Sequence, residues 1–461
     1  MLVIGCKKMV MQLHIGFDDT DSLRGSCTTY LATQIISEIF DRVIFLDFPK
    51  LIRLNPNIPF KTRGNGAIAL HLQGAQADLL YCKKVVLRKV QKLAELEEKN
   101  TNPGVVFIEK QIPPEIEALS KQAMWDVISL QEAEKFSTFP NIELHQFKLG
   151  RGIIGGMGAL GNKLAGDFTY EHLSYRMPEN FGTEREIDPE SVIKADKGTP
   201  LTFNNVDYKY NSIMITPRGA DPVFAGIRGE TVDEVLKAWK IVEPLEKISM
   251  QMIFRTNQHT DQHFVKHFTI KDLIPHRSAI VRGKVVKKPF YIPGGHLIFS
   301  IKDETGTVDC AAYEPTKKFR GKINGLVIGD EITVYGGVRP PGKNHPLTLN
   351  IERLKVHSLM PVFKYENPFC DECQTRLKSA GKNKGYKCPK CSAVYRNKKV
   401  IKTELPRTLQ IKEYLPPIIA HRHLTKPRAR QGRDNTGKQM TNQKIQKILK
   451  QLVDYSREHR P

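Results

Sequence analysis

The sequence predicts a multidomain α+β protein, with mixed strands and helices first, then a small β-barrel, a zinc ribbon and a basic C-terminal tail. Three observations carry this reading. The 461 residues exceed one ordinary domain. The apolar pattern mixes strand and helix periods up to about residue 140, and becomes a series of short strands between about 277 and 357. Four of the eight cysteines form Cys370-x-x-Cys373 and Cys388-x-x-Cys391, fourteen residues apart. Composition narrows the class further. With 40% hydrophobic and 26% charged residues there is apolar matter for several cores, and no run approaches a membrane span. Met1 to Lys8 is too short and too quickly charged for a signal peptide. A cytoplasmic protein is expected, with Met9 or Met11 as alternative starts to Met1. The formal charge of +22 favours a polyanionic partner, nucleic acid ahead of an anionic membrane surface.

In chain order, Leu13 to Phe17 alternates as a half-buried strand and runs into Asp18-Asp19-Thr20-Asp21. Tyr30 to Phe40 follows as a helix with Leu31, Ile35, Ile36, Ile39 and Phe40 on one face. Carboxylates at a strand terminus can hold Mg²⁺, a hard cation that takes oxygen ligands. Thr28 and Thr29 offer hydroxyls and free backbone N–H groups to a phosphate. The alternative is a capped turn with Thr28 as the N-cap. Strands Val43 to Leu46, Ala67 to Leu72 and Val105 to Ile108, with helices Ala77 to Leu96 and Pro114 to Trp125, extend an α/β or α+β pattern. Lys50 to Gly66 reads as a basic loop because of its proline and asparagine. Within it, Arg63-Gly64-Asn65-Gly66 lets backbone approach a ligand while a guanidinium clamps phosphate oxygens.

Gly150 to Gly161 imitates a dinucleotide fingerprint, but the strand before it is weak. Close helix packing and close approach of an RNA backbone remain. Strands Phe168 to Tyr175, Leu201 to Val206 and Ile213 to Thr216 lead to Arg218 to Gly229, which mixes glycine, arginine and Asp221. Thr256 to His263 is a polar segment after an apolar strand, and solvated turns are the plain alternative for both.

Ala279 to Val286, His296 to Lys302, Thr307 to Tyr313, Glu331 to Val338 and Thr348 to Val356 are five strands that suit an OB barrel. Arg282, Lys284, Lys287, Lys288, Phe290 and Tyr291 supply basic and aromatic groups for nucleic acid. The Cys370, Cys373, Cys388 and Cys391 spacing is that of a four-thiolate Zn²⁺ site whose metal supplies the folding energy. Paired disulfides would suit a secreted chain, and nothing here looks secreted. From Arg396 onward there are seventeen basic and five acidic residues, which predicts a tail disordered until RNA arrives. Gln443 to Tyr455 has a helical period and a docking face.

Taken in order, these segments resemble archaeal tRNA(Ile) agmatidine synthetase, also called agmatinylcytidine synthetase, over nearly the whole chain. The carriers are Gly16 to Ser22, Cys27 to Tyr30, Arg53 to Asn57, Thr62 to Gly66, Gly150 to Gly155, Asp221 to Val223, Gly226 to Gly229, Thr256 to Gln258 and Arg422 to Pro427. Two features depart from the family's pattern: the extension before Met11 and the glycine-rich Gly156-Met157-Gly158. The resemblance implies an α/β-type base-kinase domain over 11–140 and a ferredoxin-like domain with its connecting segment over 141–265. An OB fold over 275–357, a zinc ribbon over 363–402 and a basic region over 403–461 complete it.

The implied activity is an ATP-dependent ligase acting on the wobble cytidine of the CAU anticodon of isoleucine tRNA. The carbon-2 oxygen is phosphorylated and then displaced by agmatine, with ATP consumed to AMP and pyrophosphate, so that AUA codons are read. Asp18, Asp19, Asp21 and Thr28 carry catalysis in this reading, Asp18 and Asp19 hold Mg²⁺, and Thr28 matches the family's phosphorylated threonine. Arg24, Gly25, Cys27, Thr29, Arg53, Asn55, Lys61, Arg63, Gly64 and Asn65 surround ATP. Arg422, His423, Lys426 and Arg428 meet tRNA. Agmatine is a dication that requires a carboxylate, and Asp221 is the choice by chemistry. A non-enzymatic RNA-binding protein would account for the charge and the zinc, but it leaves the acidic loop without a purpose.

Overall fold

Leu13, Ile15 and Phe17 make the first strand, β1 (Met11–Asp18), a core strand rather than an edge. The computed structural model describes residues 10–22, 25–62, 64–436 and 440–459. Helix α1 (Thr28–Ile39) follows, then β2 (Ile44–Phe45), β3 (Lys50–Arg53), β4 (Gly66–Gly74), α2 (Gln76–Leu93), β5 (Gly104–Glu109), α3 (Pro114–Ala123), α4 (Leu130–Glu134), β6 (Ile142–Gln146) and α5 (Gly152–Gly161). β1 lies antiparallel between β4 and β5, with Ile15 opposite Leu70 and Phe107. The segment read as a loop from Lys50 therefore begins as a strand, since Lys50 to Arg53 pairs with β4. Lys50 is buried there, and its Nζ donates to the Asn162 carbonyl at 3.1 Å.

The next unit comprises β7 (Thr169–Arg176), α6 (Pro189–Gly198), β8 (Thr202–Phe203), β9 (Val206–Asp207), β10 (Ser212–Ile213), β11 (Val223–Gly229), α7 (Val232–Ile241) and β12 (Ile248–Thr256). Its strands stand in the order β12-β7-β11-β8, all antiparallel, while α6 and α7 supply the crossovers. That is the ferredoxin-like arrangement. Arg255 and Thr256 of β12 pair in parallel with Lys50 and Leu51 of β3, which joins both units into one ten-stranded sheet. β6 pairs with β5, so the sheet runs on past residue 140.

The glycine run settles as helix α5, packed backbone to backbone on the sheet. A Cβ at Gly16 would lie 2.3 Å from the Gly156 carbonyl oxygen, and one at Gly104 would lie 2.0 Å from the Ile153 nitrogen. Close helix packing is thus the reading that holds.

The barrel consists of β13 (Ser278–Ile292), β14 (His296–Lys302), β15 (Thr307–Ala312), α8 (Lys318–Ile323), β16 (Glu331–Arg339) and β17 (Thr348–Ser358). It closes through parallel pairing of Cys310 with Leu349, around Val281, Phe299, Ile301, Val334 and Leu354. It sits on the first unit. Arg277 Nε donates to Asp126 Oδ1 at 2.6 Å, and the Ser278 N–H donates to the Trp125 carbonyl at 2.8 Å.

Beyond the barrel, β18 (Val362–Glu366) pairs with β22 (Ile401–Leu405) around a ribbon of β19 (Lys378–Ser379), β20 (Tyr386–Lys387) and β21 (Val394–Tyr395). β23 (Glu413–Tyr414) then returns to β17. The tail expected to be disordered is folded onto the core. Arg430 is fully buried, with Nη2 donating to Asp167 Oδ1 at 2.7 Å and Nε to Glu230 Oε1 at 2.6 Å. Helix α9 (Asn442–Glu458) docks Ile445, Leu449, Leu452 and Val453 into the first core. Among the described residues no helix is long and apolar enough to cross a membrane.

Gly16→Ala is expected to lower stability in urea by about 1–3 kcal/mol through overpacking. Gly166→Ala, whose methyl meets nothing within 4 Å, should leave it unchanged. Equal unfolding midpoints for both variants would contradict the strand–helix backbone contact.

Candidate active site

A cavity of about 1010 Å³ opens between the two halves of the sheet, and one wall of it is formed by the turn after β1. Asp18, Asp19, Asp21, Cys27, Thr28 and Thr29 all line it. Asp18 lies against α5, where a Cβ at Gly155 would stand 2.0 Å from its Oδ2. Burial, reinforced by Asp19, pushes the Asp18 carboxyl up to about 8. Burial likewise raises Asp19 to about 6, against the pull of Arg151. Asp19 has φ +60°, a left-handed backbone, and its Oδ2 accepts from the Asn102 N–H at 3.1 Å. Strain of this kind persists where the surroundings over-determine it.

Thr28 is the first residue of α1. The N-cap is Cys27, which makes no side-chain cap bond, so the plain capping reading of Thr28 fails. Its Oγ1 accepts from Thr20 Oγ1 at 3.1 Å.

Facing the acids is a cationic wall. Arg53 lies under the Gly64-Asn65-Gly66 loop, where Cβ atoms at Gly64 and Gly66 would come within 2.7 and 2.8 Å of its Nη1. A methyl group at either position would have to push the guanidinium aside. The Arg53 backbone N–H donates to Asn257 Oδ1 at 2.8 Å. Its buried Nε has no hydrogen-bond partner among the described residues, and neither has Arg151 Nε. Buried, unpaired guanidinium donors call for an anion. Lys61 lines the cavity, and burial together with Arg422 brings its ammonium down to about 8.

Two of the residues expected around ATP stand elsewhere. Asn55 does not line the cavity, because its amide is spent on the Asp126 carbonyl at 3.1 Å and the His276 carbonyl at 2.8 Å. The Gly25 N–H turns back to Ser22 Oγ at 3.2 Å. Arg24 and Arg63 lie outside the described residues.

The four tail residues divide. Arg422 Nη1 donates to Asn57 Oδ1 at 2.8 Å while its Nε stands 3.3 Å from Glu352 Oε1, so it ties the loop after β3 to the barrel. His423 lines the cavity. Lys426 is buried, pairing with Asp167 at 2.8 Å and Asp434 at 2.6 Å; it braces the fold and is not free to meet RNA phosphate. Arg428 is exposed. Asp221 lines the far end, its Oδ1 accepting from the Val223 N–H at 3.1 Å and standing 3.5 Å from Arg185 Nη2. Sequence reasoning singled out the segments that hold Arg151 and Arg228 without giving either residue a role, and it missed Glu171. Their one signal was charge inside otherwise apolar or glycine-rich segments.

In the ribbon, the thiols of Cys370, Cys373, Cys388 and Cys391 lie within 4.8 Å of one another. The Cys370 and Cys391 sulfurs are 3.7 Å apart, close to the edge of a tetrahedron with Zn–S bonds of about 2.3 Å. The Lys390 and Cys391 N–H groups point at Cys388 Sγ, at 3.3 and 3.4 Å. Apart from the cysteines, Leu377 is the one fully buried side chain of this small core. The residues fit Zn²⁺.

A phosphate-accepting cleft joined to an OB barrel and a four-cysteine ribbon defines a class, that of nucleotide-using enzymes built around nucleic acid. The chain matches the TiaS TCKD domain over residues 14–81, the TiaS FLD domain over 150–263, an OB-fold nucleic acid binding domain over 279–356 and the TiaS C-terminal zinc ribbon domain over 367–409. It is 46% identical over 420 residues to the tRNA(Ile) 2-agmatinylcytidine synthetase TiaS of Thermococcus sibiricus, covering 91% of this chain and 96% of that one. Against the Methanocaldococcus jannaschii protein of the same name the identity is 43%, covering 91% and 98%. The crystal structure of a complex of TiaS with isoleucine tRNA and ATP superposes with a TM-score of 0.82 at 38% identity, covering 90% of this chain and 97% of that one. A complex of TiaS with isoleucine tRNA, AMPCPP and agmatine gives a TM-score of 0.79 at 36% identity, covering 90% and 96%. The chain belongs to the tRNA(Ile) 2-agmatinylcytidine synthetase (TiaS) family.

Metal analysis of protein purified without chelators should find one equivalent of zinc, and Cys373→Ser should lose it and loosen 367–409. Intact protein free of zinc would contradict the ribbon assignment.

Proposed function

We propose that this protein joins agmatine to the wobble cytidine of the CAU anticodon of isoleucine tRNA, in the cytoplasm, at the expense of ATP. The observation that carries the reading is the convergence on one cavity of three carboxylates and the buried Nε donors of Arg53 and Arg151, which have no hydrogen-bond partner among the described residues. Phosphoryl transfer relies on positioning and charge stabilisation more than on covalent chemistry, and this wall provides both. Arg53, Arg151 and Lys61 hold the phosphates. Asp18 and Asp19 suit Mg²⁺, since burial makes their ionised forms costly without a cation beside them. When bound, that ion neutralises charge on the phosphates.

Thr28, at the N-terminus of the twelve-residue α1, adds a hydroxyl where the helix end favours anions. The carbon-2 oxygen of cytosine is a poor leaving group, and phosphorylation makes it one that an amine can displace. Asp221, at the far end of the same cavity, takes a cationic group of agmatine, and Arg185 holds its carboxylate in place.

Incubation with ATP, labelled agmatine and the CAU isoleucine tRNA should put label into the tRNA; absence of label would defeat the reading. Asp19→Asn should abolish product while tRNA affinity stays within about twofold. Thr28→Ala should lower turnover by at least about 100-fold, with a melting temperature close to that of the parent. A destabilised but fully active Thr28→Ala protein would contradict the catalytic role. Asp221→Asn should raise the KM for agmatine and leave that for ATP unmoved.

A further inference from the structure

The displacement step needs a proton acceptor, and the steps above assign none. His423 meets the geometric requirement. It opens into the cavity beside the Gly64 loop, where an added Cβ at Gly64 would lie 2.9 Å from its Nε2. Its Nδ1 is 3.1 Å from Gln258 Oε1. The Gln258 amide nitrogen donates to Glu171 Oε2, and Glu171 Oε1 is paired with Arg228 at 2.8 Å. An ionised carboxylate only accepts, so the amide nitrogen must face Glu171 and the amide oxygen must face His423. That oxygen also only accepts. Nδ1 therefore carries the ring proton, and the lone pair of Nε2 is left toward the cavity.

The charged and titratable groups around the ring are Arg53, Arg228, Lys61 and His259. His423 is exposed to the cavity, and the Arg53 guanidinium beside it holds the imidazole well below its ordinary value, so the ring is neutral at pH 7.

We propose that His423 is the general base of the displacement step, accepting the proton of the attacking agmatine nitrogen on Nε2, with Gln258 and Glu171 as positioning residues. The inference rests on the function proposed above. In the step, the agmatine ammonium first loses one proton to solvent, and the lone pair of the resulting free amine forms the C–N bond at carbon 2 of the phosphorylated cytosine. The C–O bond breaks, and its electron pair leaves with the phosphate. The nitrogen, cationic once bonded, gives one proton to Nε2, and the imidazolium returns it to solvent. Arg53 and Lys61 serve this twice, by receiving the departing phosphate and by making the imidazolium quick to release its proton.

The test uses the full chain, phosphoryl-labelled ATP and the CAU isoleucine tRNA, with His423→Ala and His423→Gln beside the parent. The expected result is a loss of single-turnover agmatidine formation of at least about 100-fold, exceeding any loss of phosphoryl transfer to tRNA measured without agmatine. Imidazole added to His423→Ala should restore part of the rate. The parent's displacement rate should show its acid limb well below pH 6.5. His423→Gln keeps a polar side chain against Gln258 and guards against a folding defect, and the same criteria apply to it. A raised KM for tRNA with an unchanged single-turnover rate would make His423 a tRNA contact and overturn the proposal. Equal loss of both steps without rescue by imidazole would overturn it too. Parent protein that forms no agmatidine would defeat the underlying function instead.

Discussion

Everything at this site depends on how closely α5 approaches β1. Gly16 meets Gly156 and Gly104 meets Gly152 with no side chain between them, at separations no Cβ could occupy. The contact brings the α5 backbone to the Asp18 carboxylate, and it carries Arg151, just ahead of the helix, to 4.0 Å from Asp19. Helix and strand thus deliver a carboxylate pair and a guanidinium to one point. Packing of this kind yields little to substitution, because interiors are dense and transmit strain.

The second dependence is long in sequence and short in space. Arg422 links the loop after β3 at Asn57 to Glu352 of the barrel, while Asn55 reaches the His276 carbonyl. A Cβ at Gly337 of the barrel would lie 2.0 Å from Asn57 Oδ1. The barrel is therefore seated on the loop that covers Arg53, and a few tight contacts couple it to the candidate site. The tail takes part in this seating. Arg430, Lys426 and Asp167 form a buried charge cluster, in which removal of one partner would strand the others.

Much of this was legible in the sequence, and the rest was not, for physical reasons. Four of the five barrel strands lie within two residues of their expected bounds, and the first runs six residues past Val286, because alternation and turn chemistry are local. Asp303 Oδ1 accepts from the Thr305 and Gly306 N–H groups at 2.7 and 3.0 Å, as an Asp-x-Thr-Gly turn should. The acidic loop and Thr28 were visible because three carboxylates crowd one strand end and two hydroxyls open the next helix within about ten residues. Strand β3 was hidden by Pro56 and the asparagines just after it. Helix α5 was one of two open readings because glycine is a poor helix former, at about 1 kcal/mol per residue, and only the facing glycines of β1 and β5 decide for it. The order of the tail could not be read, because the partner of Arg430 lies 263 residues away. Composition alone makes seventeen basic residues look solvated.

The central claim is that the acids and the guanidinium groups of Arg53 and Arg151, whose Nε donors have no partner among the described residues, form one ATP site. Calorimetric titration of a non-hydrolysable ATP analogue with Mg²⁺ into the parent and Arg53→Gln proteins tests it most directly. Charge-assisted hydrogen bonds of about 1.5–3 kcal/mol predict an affinity loss of roughly 10- to 100-fold. Equal affinities would contradict the claim.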